Sequence, residues 1–146
     1  LCSNHLIVRT NIFGWNVKPD RISSAEWIYN SLRNGQKITL FNDYTFSPIY
    51  TKYLGEIIMR LVDFDFTGVI NVGSPTHCSK YDFGQQLAET FGFNQSLISK
   101  GSMKQHPFSA KRNPKLDLKV QKINDISLSP PDYRKSIDKF SQDKPQ

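Results

Sequence analysis

The chain has 146 residues, enough for one domain, and carries a formal net charge of +6. Hydrophobic residues make up 38% and aromatic residues 12% of it, which supports a modest core and excludes a globally disordered chain. No apolar run reaches the length that spans a bilayer, and the opening LCSNHLIVRT lacks a signal-peptide pattern, so we expect a cytoplasmic protein with no membrane partner. Because the sequence begins with Leu1 and not Met, we expect a piece of a longer polypeptide or a processed chain.

The cysteines and the basic residues give weak functional signals. Cys2 and Cys78 belong to neither a CxxC nor an HxxxH pattern, so we expect two free thiols and no metal site. Positive charge is densest in KRNPKLDLKVQK, residues 111–122. This segment forms no helical stripe and has no interleaved aromatic residues, which argues against a nucleic-acid partner. It is either a solvated surface or a local anion site around Arg112.

The first elements alternate between strand and helix. Residues 5–10 are apolar and rich in β-branched side chains, which predicts a strand. SSAE at residues 23–26 is a capping box that begins a helix, and Gly35 ends that helix. Its predicted buried side consists of Trp27, Ile28 and Leu32.

A polar and aromatic turn separates the next strand from the next helix. Residues 37–41 alternate and predict a strand, and FNDYTFSPIY follows at residues 41–50. Thr51 is a candidate N-cap for the helix that comes after it. The apolar stripe of this helix is predicted to contain Leu54, Ile57, Ile58, Leu61 and Val62.

The third strand and helix are equally well marked. GVINV at residues 68–72 predicts a buried strand of a covered sheet, followed by a turn up to residue 78. Ser79 begins a second capping pattern, and Gly92 ends the helix. Its predicted stripe contains Phe83, Leu87, Ala88 and Phe91.

The last third of the chain is less regular. We expect residues 94–117 to be mostly irregular and residues 120–123 to form a short helical turn. SPPD at residues 129–132 caps a final helix that buries Tyr133, Ile137 and Phe140, and residues 141–146 should fray. Alternating strands and helices predict an α/β fold with a small irregular lobe.

The motifs of a self-contained enzyme are missing from this sequence. Its eight glycines form neither GxGxxG nor GxxGxxG, and there is no Gly-Lys-Ser/Thr phosphate loop. GxSxG and HExxH are absent as well, and no tyrosine is followed four residues later by a lysine. We therefore assign no catalytic residue and expect the chain to be inactive by itself.

Four short motifs nevertheless occur in a recognisable order. They are RTNIFG at residues 9–14, DYTFSP at 43–48, GVINVG at 68–73 and AKRNP at 110–114. Their order and spacing resemble the C-terminal half of extended short-chain dehydrogenases, and most of all the dTDP-4-dehydrorhamnose reductase (sugar-nucleotide reductase) branch.

The resemblance implies a Rossmann-type α/β fold. Strands 6–10 and 68–72 would belong to the nucleotide-binding sheet, and residues 1–140 would form the substrate-binding portion. A missing N-terminal half would carry the glycine-rich loop for NAD or NADP and the Tyr-x-x-x-Lys pair. The whole would be a reductase for a nucleoside-diphosphate 4-keto sugar, with a homodimer left open.

The same resemblance points to four binding residues, each with a purely structural alternative. Arg112 would clamp a phosphate, or it is a solvated loop residue. Thr10 and Asn11, just past a strand, would contact the nicotinamide or the sugar, or they close the strand end. Asp43 would line the sugar pocket, or it fixes its own turn. An asparagine that the family places where Ser23 and Ser24 stand here is not carried over.

The aromatic residues and histidines are assigned less firmly. Tyr44, Phe46 and Tyr50 either stack on a base or sugar or pack in the core, whereas Trp27 is expected in the core. His5, His77 and His106 are given no role.

Two other functional classes stay open. One is a non-catalytic, regulatory member of the same fold, as the β subunit of methionine adenosyltransferase is. The other, ranked last, is a basic nucleic-acid-binding module, whose marker would be a steep salt dependence of binding.

Overall fold

The computed structural model of the chain describes residues 4–16, 18, 21–106, 108–110 and 112–145. Its strands are β1 (Leu6–Phe13), β2 (Ile38–Phe41), β3 (Thr45–Phe46), β4 (Pro48–Tyr50), β5 (Gly68–Val72), β6 (Cys78–Ser79), β7 (Ile98–Gly101) and β8 (Lys115–Leu116). Its helices are α1 (Ser24–Arg33), α2 (Thr51–Asp63), α3 (Lys80–Phe91), α4 (Gln121–Asp125) and α5 (Tyr133–Gln142). The predicted free thiol of Cys2 lies outside the described residues, whereas Cys78 is a free, buried cysteine.

The largest sheet is parallel and has β1 at its centre. Strand β5 pairs with residues 6–10 of β1, and β4 pairs with residues 11–13. Within the described residues, β5 is therefore the only strand that pairs with the first five residues of β1. The predicted strands 6–10 and 68–72 are confirmed as neighbours, and β1 continues three residues farther than predicted.

The two faces of this sheet differ. Leu6 and Val8 of β1 pack against a core formed with α2 and α4. On the opposite face, Ile7 and Val69 are register partners on β1 and β5, and they are 48% and 36% exposed. Around these residues, one face of the sheet is thus covered and the other is open.

Both capping boxes are present where the sequence predicts them. The Ser23 side chain accepts a hydrogen bond from the Glu26 backbone, and the Glu26 side chain accepts from the Ser23 backbone. Ser79 and Asp82 repeat the arrangement at the start of α3, which ends at Gly92 with φ of 70°. These local signals fix the helix boundaries because they satisfy backbone groups that a helix end leaves unpaired.

Some predicted helix details are wrong. Trp27 is 46% exposed, because the buried stripe of α1 runs through Ala25, Ile28, Tyr29 and Leu32 and leaves position 27 beside it. Val62 is likewise exposed at the edge of the α2 stripe. Thr51 is not an N-cap, because α2 begins directly after β4 with Tyr50 in that position and without a side-chain cap.

The segment expected to be irregular contains a strand. Residues 98–101 form β7, which pairs in parallel with β2 from Ile38 and Ile98 onward. A small mixed sheet lies nearby, in which β3 pairs antiparallel with β6 and parallel with β8. Helix α5 also continues to Gln142, two residues beyond the boundary predicted at 140.

Two hydrophobic cores hold these layers together. The first joins β1 to α1, α3 and α5 and is rich in aromatic rings, with Phe13, Phe83 and Phe140 at its centre. The second lies between the main sheet and helices α2 and α4. None of the helices in the described part of the chain combines the length and apolar character needed to cross a bilayer.

Candidate functional site

Two adjoining cavities open beside the loops that follow β2 and β7. The first, called here the loop cavity, measures about 340 Å³ and is lined by Asp43, Met103, Lys104, His106, Phe108, Ala110, Arg112 and Pro114. The second, called the cation cavity, measures about 290 Å³ and is lined by Ser24, Phe41, Tyr44, Lys80, Met103, Phe108 and Arg112. Met103, Phe108 and Arg112 line both cavities. The wall that they form is the centre of the candidate site.

Asp43 anchors two loops to each other at the edge of the loop cavity. One carboxylate oxygen accepts a hydrogen bond from the Ser102 hydroxyl at 2.5 Å, and the other accepts from the Met103 backbone N–H at 2.8 Å. These bonds favour the charged carboxylate and lower the pKa of Asp43. Asp43 thus fixes the local chain through these two hydrogen bonds, and its side chain also lines the loop cavity.

Arg112 lies over an aromatic platform. Its guanidinium carbon is 4.7 Å from the centroid of the Phe108 ring, and that ring lies 4.3 Å from the His106 ring. Stacking on a ring face leaves the edge of a guanidinium, where its N–H donors point, available to a ligand. Arg112 is the one predicted binding residue that lines both cavities.

Lys80 supplies a second cation. It is the first residue of α3, its backbone N–H donates to the Tyr44 carbonyl at 3.1 Å, and its ammonium lies 3.8 Å from the centroid of the Phe46 ring. Burial disfavours the charged form and lowers the pKa of Lys80 to about 8. The sequence analysis did not identify this residue.

Thr10 and Asn11 lie elsewhere and line neither cavity. The prediction that they follow the end of a strand is wrong, because β1 continues beyond Asn11 and contains both. The Asn11 side-chain oxygen accepts a hydrogen bond from the Ser47 backbone N–H at 3.1 Å, which ties the strand to the turn before α2. The Thr10 hydroxyl is buried and has no hydrogen-bond partner among the described residues. The structure thus places Asp43 and Arg112 on one cavity and the other two predicted residues apart from it.

The aromatic residues of the turn divide between core and cavity. Phe46 and Tyr50 are buried in the first core, whereas Tyr44 is only partly buried and lines the cation cavity. A hydrogen bond fixes the Ser-Pro turn: the buried Ser47 hydroxyl accepts from the Leu118 backbone N–H at 3.0 Å. Close packing here also requires Gly73, whose added Cβ would lie 2.7 Å from the Ser47 carbonyl oxygen.

The sequence pointed to neither Lys80 nor Phe108 as site residues, and His106 was given no role. Lys80 comes to Tyr44 through the pairing of β3 with β6, and strands of two residues leave no periodic signal. His106 and Phe108 reach the site because β7 sets the start of the loop that carries them.

Solved structures share this architecture and define its class. The chain superposes on the dTDP-4-dehydrorhamnose reductase of Bacillus anthracis in complex with NADP with a TM-score of 0.85 at 17% identity, covering 95% of this chain and 48% of that one. A dTDP-4-dehydrorhamnose reductase from Clostridium acetobutylicum gives a TM-score of 0.82 at 18% identity, with coverage of 94% and 48%. The chain therefore has the α/β fold of about half of each of these two reductases.

The family is shown by sequence. The sequence model of the RmlD substrate binding domain matches residues 1–145, so the chain belongs to that family. A curated relative, the probable low-salt glycan biosynthesis reductase Agl14 of Haloferax volcanii, is 26% identical over 84 residues, which are 58% of this chain and 28% of that protein. The chain thus spans about half of the solved reductases and under a third of the curated one.

Proposed function

We propose that this chain is the substrate-binding portion of an NAD(P)-dependent reductase acting on a nucleoside-diphosphate 4-keto sugar. The observation that carries the proposal is the position of Arg112 on the shared wall of two cavities, in a domain of the RmlD substrate binding family. The names of the similar proteins support the same reaction class, since they describe a glycan biosynthesis reductase and dTDP-4-dehydrorhamnose reductases.

Arg112 would bind a phosphate of the sugar nucleotide. A guanidinium presents paired donors that match two phosphate oxygens, and its charge does not depend on pH in the ordinary range. The cation–π contact with the Phe108 ring would hold the guanidinium at the wall that the two cavities share. Asp43 would hold the facing loop in place through Ser102 and Met103, so that the cavity keeps its shape.

The chain offers little of its own to a nicotinamide cofactor. Its glycines lack the dinucleotide-binding pattern, so most contacts to NAD or NADP would come from an N-terminal half. One feature would suit a polar group of a ligand: the Thr10 hydroxyl is buried and has no hydrogen-bond partner among the described residues. When bound, the nicotinamide supplies the hydride, while Thr10 and Asn11 would orient it or the sugar.

The open sheet face suits an N-terminal half as its partner. Ile7 and Val69 expose apolar surface, and residues 6–10 of β1 have one strand neighbour in the described part of the chain. A further strand and helices from a dinucleotide-binding half would cover both features. The homodimer, the cytoplasmic location and the inactivity of the chain alone stay predictions.

The test is steady-state kinetics of the full-length protein with NADH or NADPH and a nucleoside-diphosphate 4-keto sugar. We expect Arg112→Met to raise KM for the sugar nucleotide by about tenfold or more, because a charge-assisted contact is lost. Arg112→Lys should retain part of the affinity, because an ammonium keeps the charge but not the paired donors.

Arg60→Met, on the exposed side of α2, is the matched control and should behave as the wild type. The proposal is wrong if the full-length protein reduces no such sugar, or if Arg112→Met and Arg60→Met have the same kinetics.

A further inference from the structure

The two cavities differ in the charges that line them. The loop cavity contains the Asp43 carboxylate together with cationic residues, whereas the described lining of the cation cavity has Lys80 and Arg112 and no carboxylate. The remaining lining is uncharged and consists of Ser24, Phe41, Tyr44, Met103 and Phe108. Two cations without a compensating acid, in a cavity with aromatic walls, form a local site for an anion.

Among the described lysines only Lys80 and Lys139 are partly buried, and of these two only Lys139 pairs with a carboxylate, that of Asp143. Within the described residues, the Lys80 ammonium forms no ion pair and donates no hydrogen bond, and it lies over the Phe46 and Tyr44 rings at 3.8 Å and 5.7 Å. A partly buried ammonium is unfavourable unless a partner replaces the lost water. The cation–π contacts supply part of that replacement and leave donors for a ligand.

Asp43 does not compete for these cations. Both of its oxygens already accept hydrogen bonds, from Ser102 and from Met103, and it lines the loop cavity alone. Since no carboxylate lines the described wall of the cation cavity, its positive charge is available to a bound molecule.

We propose that Lys80 and Arg112 together bind one phosphate or diphosphate group in the cation cavity, and that Lys80 makes the site selective for ligands that carry this charge. The inference rests on the proposed function, because the charged group would be the diphosphate of the sugar nucleotide. It adds a second cation, contributed by the first residue of α3, to the arginine that the sequence motif points to.

The experiment measures equilibrium binding to the full-length protein by titration calorimetry with three probes: inorganic pyrophosphate, dTDP and thymidine. We expect Lys80→Met to weaken pyrophosphate and dTDP by about tenfold or more and to leave any thymidine binding unchanged, because one charge-assisted contact is removed. Lys80→Arg should retain most of the affinity.

Lys100→Met is the matched control, because Lys100 is also placed over an aromatic ring, that of Tyr81 at 4.9 Å, but is exposed and lines neither cavity. It should bind all three probes as the wild type does. Thermal melting of each variant shows that it is folded, and Lys80→Gln replaces Lys80→Met if the latter does not fold.

The outcomes separate the two proposals. If Arg112→Met weakens dTDP but Lys80→Met does not, the role of Lys80 is wrong and the proposed function stands. If pyrophosphate binds in a Lys80-dependent way but no sugar nucleotide is bound or reduced, the anion site stands and the proposed function is wrong. If the wild type binds neither pyrophosphate nor dTDP, both proposals are wrong.

Discussion

Two regions of the molecule differ in how completely they are packed. One is the lobe that carries the cavities, formed by helices α1, α3 and α5 with strands β2, β3, β6, β7 and β8, and the other is the parallel sheet of β4, β1 and β5. In the lobe, rings from β1, α1, α3 and α5 close around Phe140, which is fully buried. In the sheet, Ile7 and Val69 face outward from neighbouring strands, and the first residues of β1 have one strand partner in the described part of the chain.

This difference indicates that the two regions have different roles. A closed aromatic core gives the lobe a fixed shape, and a fixed shape is what a binding cavity with two oriented cations needs. The sheet instead offers a template for another part of the protein, because an open face and an open edge are stable only when covered.

The largest expected effect tests the closed core. Phe140→Ala should lower the free energy of unfolding by about 3–5 kcal/mol, because it removes a buried ring and leaves a cavity. The Phe140 ring stacks on Trp15 at 4.1 Å and meets Phe13 at 5.6 Å. Denaturant unfolding of the full-length protein measures the change.

Phe64→Ala is the control for this change, because Phe64 follows α2 and is 61% exposed. It should cost less than about 0.5 kcal/mol. Equal losses for Phe64→Ala and Phe140→Ala would contradict the division into a closed lobe and an open sheet.

A charged residue on the open sheet face should have an intermediate effect. In the full-length protein, Ile7→Lys should lower the free energy of unfolding by about 2 kcal/mol, because the proposed N-terminal half would bury the new charge. In the isolated chain, which we expect to self-associate through the uncovered face, the same substitution should favour the monomer. Sedimentation velocity measures the association.

Met59→Lys is the corresponding control, on an exposed position of α2. It should change stability by about 0.5 kcal/mol at most in the full-length protein. An isolated wild-type chain that is monomeric and melts cooperatively would argue against an uncovered docking face.

The smallest expected effect is the pH dependence that arises from Cys78. Burial raises the pKa of its thiol to about 12 in the folded protein, whereas an unfolded thiol titrates near about 8.5. Its contribution to stability is thus complete below the unfolded pKa and is lost as the pH rises toward the folded pKa.

Cys78→Ala should therefore lose less stability than the wild type between neutral pH and pH of about 10, with a difference on the order of 1 kcal/mol. Comparing the two proteins is necessary because Lys80, whose pKa is lowered to about 8, produces the opposite trend in the same range. Parallel stability curves for wild type and Cys78→Ala would show that the thiol ionises freely and is not buried.

Local signals in the sequence were sufficient for much of the fold. Ser23 and Ser79 predicted two helix starts because a capping box is formed by residues three positions apart. The apolar run of β5 predicted the strand itself, but the expectation that both of its faces are covered is wrong, because Val69 is 36% exposed. By contrast, β7 was missed because ISKG acquires its strand conformation from a parallel partner about sixty residues earlier in the chain.

The site was predictable only in part. Asp43 and Arg112 stood in recognisable motifs, and the structure brings both to the loop cavity. Lys80 had no motif, since its position over the Phe46 ring depends on a two-residue strand pairing. Trp27 was misjudged because one position along a helix rotates a side chain by about 100° away from the buried stripe.

The hydrogen bond between Trp15 and Phe140 bears on the order in which the nascent chain can fold. The Trp15 indole N–H donates to the Phe140 carbonyl at 2.8 Å, across 125 positions of sequence. Because a ribosome synthesises the N-terminal residues first, the early strand and helix must wait for the last helix to emerge before the lobe can close. Until then, the aromatic side chains of the unfinished core stay exposed on the nascent chain.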